Sequence, residues 1–288
     1  MDTVTHTFFG MTLYGAIDKS NDSKAMKKSL IVATIGGSQI PDIDVVSSLW
    51  DTEGLYQMWH RGITHSILMV PVWALILTML CVLLFKVKDY KRLFFISSIA
   101  VFIHSTSDLF NAWGTGYFEP LSDTRVTFGV IPIVDIVYLL IMFTTIIITR
   151  FKKENSYKKF RLAWGLMALH VLIQSLQGFI LYKDYEKDYD QVALSASFIP
   201  WNYTVIGKNA NVIDIIDDTL FIKPKHIHTL HSKEDTNLEV LFEMNPAAKT
   251  LYQWSPFVVV VDDDERIGIY DPRFYMNGES FLFEYVEK

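Results

Sequence analysis

The chain has 288 residues, a net charge of −6 and a single cysteine, Cys81. Half of the residues are apolar or aromatic and only 20% are charged, with a mean hydropathy of +0.23. This composition excludes a disordered chain, a disulfide scaffold and a thiolate metal site, and it argues against nucleic-acid binding and against a wholly soluble protein.

Apolar runs in the first two-thirds of the sequence predict membrane-spanning helices. The clearest run is 67–85, which is free of charge and about as long as a bilayer requires at ~1.5 Å per residue. Two later runs are interrupted at Asp135 and His170, which we interpret as polar contacts between helices. The six predicted helices, in chain order, are 4–17, 25–40, 66–85, 93–110, 128–149 and 162–182.

Lysine and arginine residues predict the orientation of these helices. Fourteen of them fall in three alternating connections, whereas the connections 41–66 and 111–127 contain only Arg61 and Arg125. Positively charged connections stay on the cytoplasmic side of a membrane. We therefore expect these two connections and both termini to lie outside the cytoplasm.

The composition of the chain changes near residue 183. Residues 1–182 carry 16 basic and 13 acidic side chains, a net +3, whereas residues 183–288 carry 10 and 19, a net −9. Short β-branched or aromatic runs in the tail are typical of antiparallel strands; they are NYTVIG, NVIDIID, LEVLFEM, FVVVVDDDE, RIGIYD and SFLFEYV. We predict an α-helical multi-pass membrane bundle of about five to six helices at 1–182, followed by a small, acidic, extracytoplasmic antiparallel β domain at 183–288.

Four polar clusters lie at the predicted outer ends of the helices. They are DTVTH at 2–6, GGSQIPDID at 36–44, HRGITHS at 60–66 and HSTSD at 104–108. His104 and Asp108 are four residues apart, so on a helix they share one face. Pro41 disfavours continuation of the preceding helix, so Asp42 and Asp44 are expected on a turn.

The two histidines of HRGITHS are five residues apart and cannot share a helical face, so they can meet only through a loop that bends at Gly62. A single histidine at a helix end is usually an interfacial or hydrogen-bonded side chain. Four histidines and three aspartates at one depth of a membrane protein indicate a metal site instead. The predicted metal ligands are His6, Asp42, Asp44, His60, His65, His104 and Asp108.

Imidazole and carboxylate ligands without thiolate suit a divalent ion, zinc first, with manganese or iron as alternatives. Seven ligands are enough for one ion or two. Such an ion produces hydroxide from its bound water near neutral pH, and a spare carboxylate can take the proton. We predict Asp44 and Arg61 as catalytic residues; Arg61 would stabilise an oxyanion, hold a phosphate, or extend towards lipid head groups.

A recessed metal site beside acyl chains favours a membrane-embedded hydrolase that acts on a lipid ester or phosphoester. Two alternatives remain open. One is a metal-ion transporter or sensor, for which polar residues through the bundle are sparse. The other is a membrane scaffold that binds partners through its acidic C-terminal domain.

The runs THTFFG, IPDID, HRGITHS and HSTSDLFNAWGT resemble the YdjM family of bacterial inner-membrane proteins, in order and spacing over 1–135 and more weakly at 199–202. That family is described as LexA-binding and, by inference, as metal-dependent hydrolases. The resemblance implies a multi-pass inner-membrane protein with a hydrolase-like metal site at the seven residues given above. Because the predicted topology places the site and tail outside the cytoplasm, we expect membrane lipid as the partner and not a LexA-type repressor.

Overall fold

The computed structural model describes residues 1–276 and 278–288. In chain order the α-helices are α1 (Thr3–Ala16), α2 (Lys24–Ile31), α3 (Tyr56–Trp59), α4 (Met69–Phe85), α5 (Tyr90–Ser107), α6 (Ile136–Phe151), α7 (Ser156–Tyr185), α8 (Glu239–Met244) and α9 (Pro246–Trp254). The strands are β1 (Gln191–Ala196), β2 (Tyr203–Asn209), β3 (Val212–Thr219), β4 (Ile222–His231), β5 (Val259–Asp262), β6 (Arg266–Tyr270), β7 (Tyr275–Met276), β8 (Glu279–Ser280) and β9 (Phe283–Glu287).

The chain forms two compact units. The first unit consists of residues 1–44, 61–127 and 131–174, and the second consists of residues 45–60, 128–130 and 175–288. The division between 174 and 175 and the change of composition near residue 183 both fall within α7.

The structure confirms a helical first part of the chain, but not six membrane spans. Within the described residues, Tyr90–Phe110 and Ser156–Tyr185 are long and apolar enough to cross a membrane. Tyr56–His65 and Met69–Phe85, bent by 73° relative to each other, would form a third span if they act as one. The apolar helix α6 has 16 residues and is shorter than a typical span.

The predicted helix 25–40 is present in the structure but is irregular in its second half. The helix α2 ends at Ile31, a π-helical turn follows over Val32–Gly36, and a 3₁₀ helix occupies Ile40–Leu49. The expectation of a turn at Asp42 and Asp44 is therefore wrong. Pro41 does not prevent this helix because proline is tolerated within a first helical turn, where the missing N–H has no partner to lose.

Two glycines allow helices of the first unit to approach the π-helical turn. A Cβ atom on Gly10 would lie 2.7 Å from the Cα of Ile35, and one on Gly37 would lie 2.7 Å from the Cβ of Ala100. Neither space can hold a larger side chain. The close approach places α1 and α5, which carry His6 and His104, against the same segment.

The second unit contains the predicted antiparallel sheet region. Its strands pair in the order β1-β2-β3-β4 and β5-β6-β9, with a small β7-β8 pair. Alternation along β3 buries Ile213 and Ile215, which pack with Ile206 and Leu230 in an apolar core. A register shift with β4 follows Ile215, and the burial alternation also changes there, as expected at a β-bulge.

One predicted strand of the second unit is wrong. The run LEVLFEM forms α8, because leucine, glutamate and methionine favour helix and Leu241 alone supplies a buried side chain in that helix. The apolar residues of this run follow no strict alternation, so the pattern did not distinguish a strand from a short helix.

Candidate metal centre

Four side chains from four segments of the first unit converge at one place. They are Asp42 in the 3₁₀ helix Ile40–Leu49, His65 at the end of a 3₁₀ turn, His104 on α5, and Asp108 just after α5. One ligand atom of each side chain lies within 4.8 Å of the other three. Three of the side chains are fully buried, whereas 17% of the Asp42 side chain is exposed. The cluster is therefore buried but reaches the surface on the side of Asp42.

The separations between these atoms match those of ligands around one ion. The Nε2 atom of His65 lies 3.1 Å from His104 Nε2, 3.2 Å from Asp42 Oδ1 and 3.5 Å from Asp108 Oδ2. The Nε2 atom of His104 lies 3.4 Å from Asp42 Oδ1 and 3.8 Å from Asp108 Oδ2. Four ligands held about 2.0–2.2 Å from a tetrahedral ion lie about 3.3–3.6 Å apart. The observed distances bracket this range.

Acceptor oxygens determine which nitrogen of each imidazole carries the hydrogen. The Nδ1 atom of His104 lies 2.7 Å from the carbonyl oxygen of Ser38, which can only accept, so Nδ1 donates. The Nδ1 atom of His65 lies 3.2 Å from Asp44 Oδ2, which is also an acceptor. In the neutral rings, both Nε2 lone pairs therefore face the cluster, as is typical of histidine ligands to metals.

These residues fit a divalent metal ion. Two imidazole lone pairs and two carboxylate oxygens face each other in a buried site, where their mutual repulsion and desolvation call for a positive charge. Two imidazoles and two carboxylates without thiolate are a ligand set of zinc, manganese and iron.

His6 contacts the other oxygen of Asp108. Its Nε2 atom lies 3.3 Å from Asp108 Oδ1, and its ring stacks on that of His104 with centroids 3.8 Å apart. The Nδ1 atom of His6 makes no hydrogen bond within the described residues. The amino group of Met1 also contacts Asp108 Oδ1. Asp108 thus directs one oxygen to the four-residue cluster and the other to His6, as a bridging carboxylate would.

Arg61 is buried, with 4% of its surface exposed, and does not extend to lipid head groups. Its Nε lies 3.4 Å from Asp108 Oδ2, while Nη1 donates to Asn111 Oδ1 at 2.9 Å and Nη2 donates to the Met1 carbonyl at 3.0 Å. Its backbone φ is 57°, and the expected bend at Gly62 follows directly, with φ −81° and ψ −134° at that glycine. The guanidinium faces protein atoms and balances the charge of Asp108.

Asp44 contacts the Nδ1 side of the His65 ring, whereas the four converging ligand atoms lie on its Nε2 side. Its Oδ2 accepts hydrogen bonds from the backbone N–H of Arg61 at 3.0 Å and from the Thr64 hydroxyl at 2.5 Å, in addition to facing His65 Nδ1. A carboxylate in this position orients a histidine and raises its basicity as a ligand. The predicted ligand and catalytic roles of Asp44 stay predictions.

Three of the remaining polar residues make local contacts. His60 belongs to the second unit, where its ring stacks on that of Tyr56 with centroids 5.4 Å apart, and its ligand role stays a prediction. In the first unit, His170 Nε2 lies 3.0 Å from Asp135 Oδ2, which confirms the expected polar contact between helices. The other oxygen of Asp135 caps α6 by accepting from the N–H of Tyr138.

Three residues that support the site had no role in the sequence-based prediction. Thr64 and Asn111 lie within the HRGITHS and HSTSDLFNAWGT runs, so their position in a motif was the available signal. Ser38 acts through its backbone carbonyl, and no residue identity reveals such a contact.

The fold and the buried cluster define a class of protein: a helical membrane protein with a histidine–aspartate site at the ends of its helices. Within this class the chain belongs to the family described as YdjM inner membrane protein, which matches residues 1–181, and the resemblance noted in the sequence is thereby confirmed. The chain is also similar to the uncharacterized protein YfhP of Bacillus subtilis (strain 168), at 27% identity over 96% of this chain and 88% of that protein. No solved structure matches the chain.

Proposed function

We propose that the protein is a membrane metal-dependent hydrolase that acts on a lipid ester or phosphoester. One observation carries this proposal: in a buried site, the Nε2 atoms of His65 and His104 lie 3.1 Å apart and 3.2–3.8 Å from carboxylate oxygens of Asp42 and Asp108, and all four ligand atoms lie within 4.8 Å of one another. Membership of an inner-membrane family supports a lipid substrate. The exposed edge of Asp42 supports catalysis, because purely structural metal sites are closed to water.

Zinc is the first candidate for the ion, with manganese and iron as alternatives, because all three accept imidazole and carboxylate ligands. Asp42, His65, His104 and Asp108 would hold the first ion. A second ion, if bound, would be held by His6 and Asp108 and would displace the amino group of Met1 from this carboxylate.

A divalent ion held here would lower the pKa of water towards neutrality and polarise an ester carbonyl or phosphoryl oxygen. Water adds to the carbonyl carbon or phosphorus, and its proton passes to the Asp42 carboxylate, which is 17% exposed. The bond from that carbon or phosphorus to the alkoxide then breaks, and the departing alkoxide takes the proton from Asp42. Asp44 orients His65, and Arg61 orients Asp108, so we assign both a positioning role.

The location of the site follows from the charge pattern. We propose a multi-pass arrangement of up to six helices, with the site and the C-terminal domain outside the cytoplasm. A reporter fused after Lys288 should be active only in its extracytoplasmic form. An active cytoplasmic reporter would overturn this orientation.

The function is tested by metal analysis and lipid hydrolysis with the purified full-length protein. We expect one or two equivalents of a transition metal and turnover of ester or phosphoester bonds in a panel of membrane lipids. His65→Ala and Asp108→Ala should lose both properties because each removes a ligand. His226→Ala is the matched control, since this histidine also lies 3.0 Å from an aspartate, Asp214, but is exposed.

Full turnover in the His65→Ala or Asp108→Ala protein would contradict the proposal. So would movement of metal ions into proteoliposomes without any hydrolysis, which would favour a transporter. Loss of metal in the His226→Ala protein would show that the assay does not report on the buried cluster.

A further inference from the structure

An apolar groove lies beside the candidate metal centre in the first unit. It has a volume of about 170 Å³ and is formed by α1, α5, α6 and α7, with Phe102, Phe110, Trp164 and Ala168 among its lining residues. We call it the α5–α7 groove. A cavity of about 150 Å³ with apolar walls is large enough to bind a benzene-sized group. The α5–α7 groove therefore has room for the end of a hydrocarbon chain.

The groove and the metal centre share two structural elements. On α5 and the turn after it, Ser107 and Phe110 line the groove, while His104 and Asp108 face the cluster. On α1, Phe9 lines the groove and packs edge-on against the ring of His6 at a centroid distance of 6.1 Å. A molecule in the groove would therefore end within a helical turn of the cluster.

The surroundings of the groove point to hydrocarbon as its occupant. The segments α5 and α7 are the two helices long and apolar enough to cross a membrane within the described residues. Apolar side chains beside the groove are exposed, including Phe102 at 44% and Leu169 at 51%. In a family of inner-membrane proteins, such a face is covered by acyl chains. A whole helix, about 10–12 Å across with its side chains, is too wide for this groove.

We propose that the α5–α7 groove binds one acyl chain of the lipid whose head-group region reaches the metal centre. The proposal rests on the lipid hydrolase function given above. It adds a specificity element: chain length and shape are selected in the groove, and bond cleavage takes place at the cluster. The apolar burial of each methylene stabilises the bound lipid, so chains too short to fill the groove bind less well.

The experiment uses phosphatidylglycerol with a diazirine on one acyl chain, at trace level in nanodiscs that contain the full-length protein. After illumination, mass spectrometry maps the lipid adducts along the chain. We expect adducts to concentrate at 102–110 and 164–171. Ala168→Trp fills the groove and should reduce these adducts about tenfold, equivalent to about 1.4 kcal/mol. Val171→Trp, which narrows the same groove, is the second variant and should act in the same direction.

Leu172→Trp is the matched control, because Leu172 lies on the same helix, is 65% exposed and does not line the groove. Its adducts should equal those of the wild type. Adducts spread evenly over α5 and α7, or equal in Ala168→Trp and Leu172→Trp, would overturn the groove proposal even if lipid hydrolysis continues. Adducts concentrated in the groove without hydrolysis of any lipid would overturn the hydrolase function and leave the groove as a lipid-binding site. Protein–protein adducts at these positions would instead indicate a second copy of the chain.

Discussion

The same pair of residue types occurs in three settings in this molecule. In the metal centre, His65 lies 3.2 Å from Asp42, in a cluster with two more ligands and almost no exposure. In the same unit, His170 lies 3.0 Å from Asp135; both are buried, and no third potential metal ligand joins them within the described residues. In the second unit, the exposed His226 lies 3.0 Å from Asp214.

Distance does not separate these three pairs, because all of them fall within 0.2 Å of each other. The third pair differs from the other two because it is exposed. The first pair differs from the second because ligand atoms of His104 and Asp108 also converge on it. A histidine–aspartate contact therefore indicates a metal site only when several buried lone pairs point to one place. We expect substitutions to have effects that fall in the same order.

The largest effect on stability is expected for Arg61→Ala. This change leaves the buried carboxylate of Asp108 without its guanidinium, and breaking a buried ion pair costs about 3–5 kcal/mol. The loss should be greatest in the metal-free protein, because a bound cation balances the same carboxylate. Unfolding in detergent, with and without chelator, measures both quantities.

Arg61→Lys should recover part of the stability, because it keeps the charge but loses the planar set of donors that reaches Asn111 and the Met1 carbonyl. The exposed Arg266, 3.6 Å from Asp263, supplies the comparison: Arg266→Ala should cost at most about 1 kcal/mol. Equal losses of stability in the Arg61→Ala and Arg266→Ala proteins would show that burial does not make the Arg61–Asp108 pair more stabilising than an exposed pair.

The second effect concerns metal affinity and is expected for Asp44→Asn. The amide can present its NH₂ group to His65 Nδ1 and so disturb the tautomer that directs Nε2 at the cluster. Loss of such an orienting carboxylate weakens metal binding about 10–100-fold. Competition with a chelator measures the dissociation constant.

Thr64→Val is the comparison for this prediction, since it removes a hydroxyl that donates to Asp44 and lies 3.0 Å from His65 Nδ1, but leaves the carboxylate in place. It should weaken metal binding less than Asp44→Asn does. Complete loss of metal in the Asp44→Asn protein would identify Asp44 as a direct ligand, and unchanged affinity would remove its positioning role.

Much of the metal centre and of the fold could be predicted from the sequence, because the features that indicate them are local. The spacing of His104 and Asp108 on one helical face and the short polar runs at helix ends are local features, and they were sufficient to indicate which segments carry the cluster. Short β-branched and aromatic runs in the tail likewise predicted β3 and β6, because these residue types favour strands.

Other features depended on contacts that the sequence does not encode locally. The 3₁₀ helix that contains Pro41 and the left-handed backbone of Arg61 depend on the surrounding fold, whereas the local pattern favoured a turn at Asp42 and Asp44. The tautomer of His104 depends on a carbonyl 66 residues away in the sequence. The length of α6 was overestimated, because the apolar run 128–149 begins eight residues before the helix, whereas α7 extends beyond the predicted 162–182 at both ends because polar residues continue it.

A smaller effect is expected for the buried pair of His170 and Asp135. A double-mutant cycle with His170→Ala and Asp135→Asn should give a coupling energy of about 0.6 kcal/mol and at most about 1.7, the range measured for polar contacts between membrane helices. Metal content should be unchanged in all three variants. Loss of metal in the His170→Ala protein would mean that this pair belongs to the metal site after all.

The smallest effect is expected for Asp214 in the second unit. Partial burial raises the pKa of this carboxyl, but hydrogen bonds from His226, Thr229 and Tyr189 lower it, and the net shift is downward. Because the pKa is lower in the folded state, the stabilisation is present above the ordinary value of about 3.9 and is lost as the pH falls towards the folded value. Exposure to solvent limits it to about 1 kcal/mol or less. Hydrogen exchange of β3 and β4 amides in the intact protein should therefore differ between wild type and Asp214→Asn at pH 6 and converge near pH 3, each pH compared separately. A difference that persists at pH 3 would mean that Asp214 acts through packing and not through its charge.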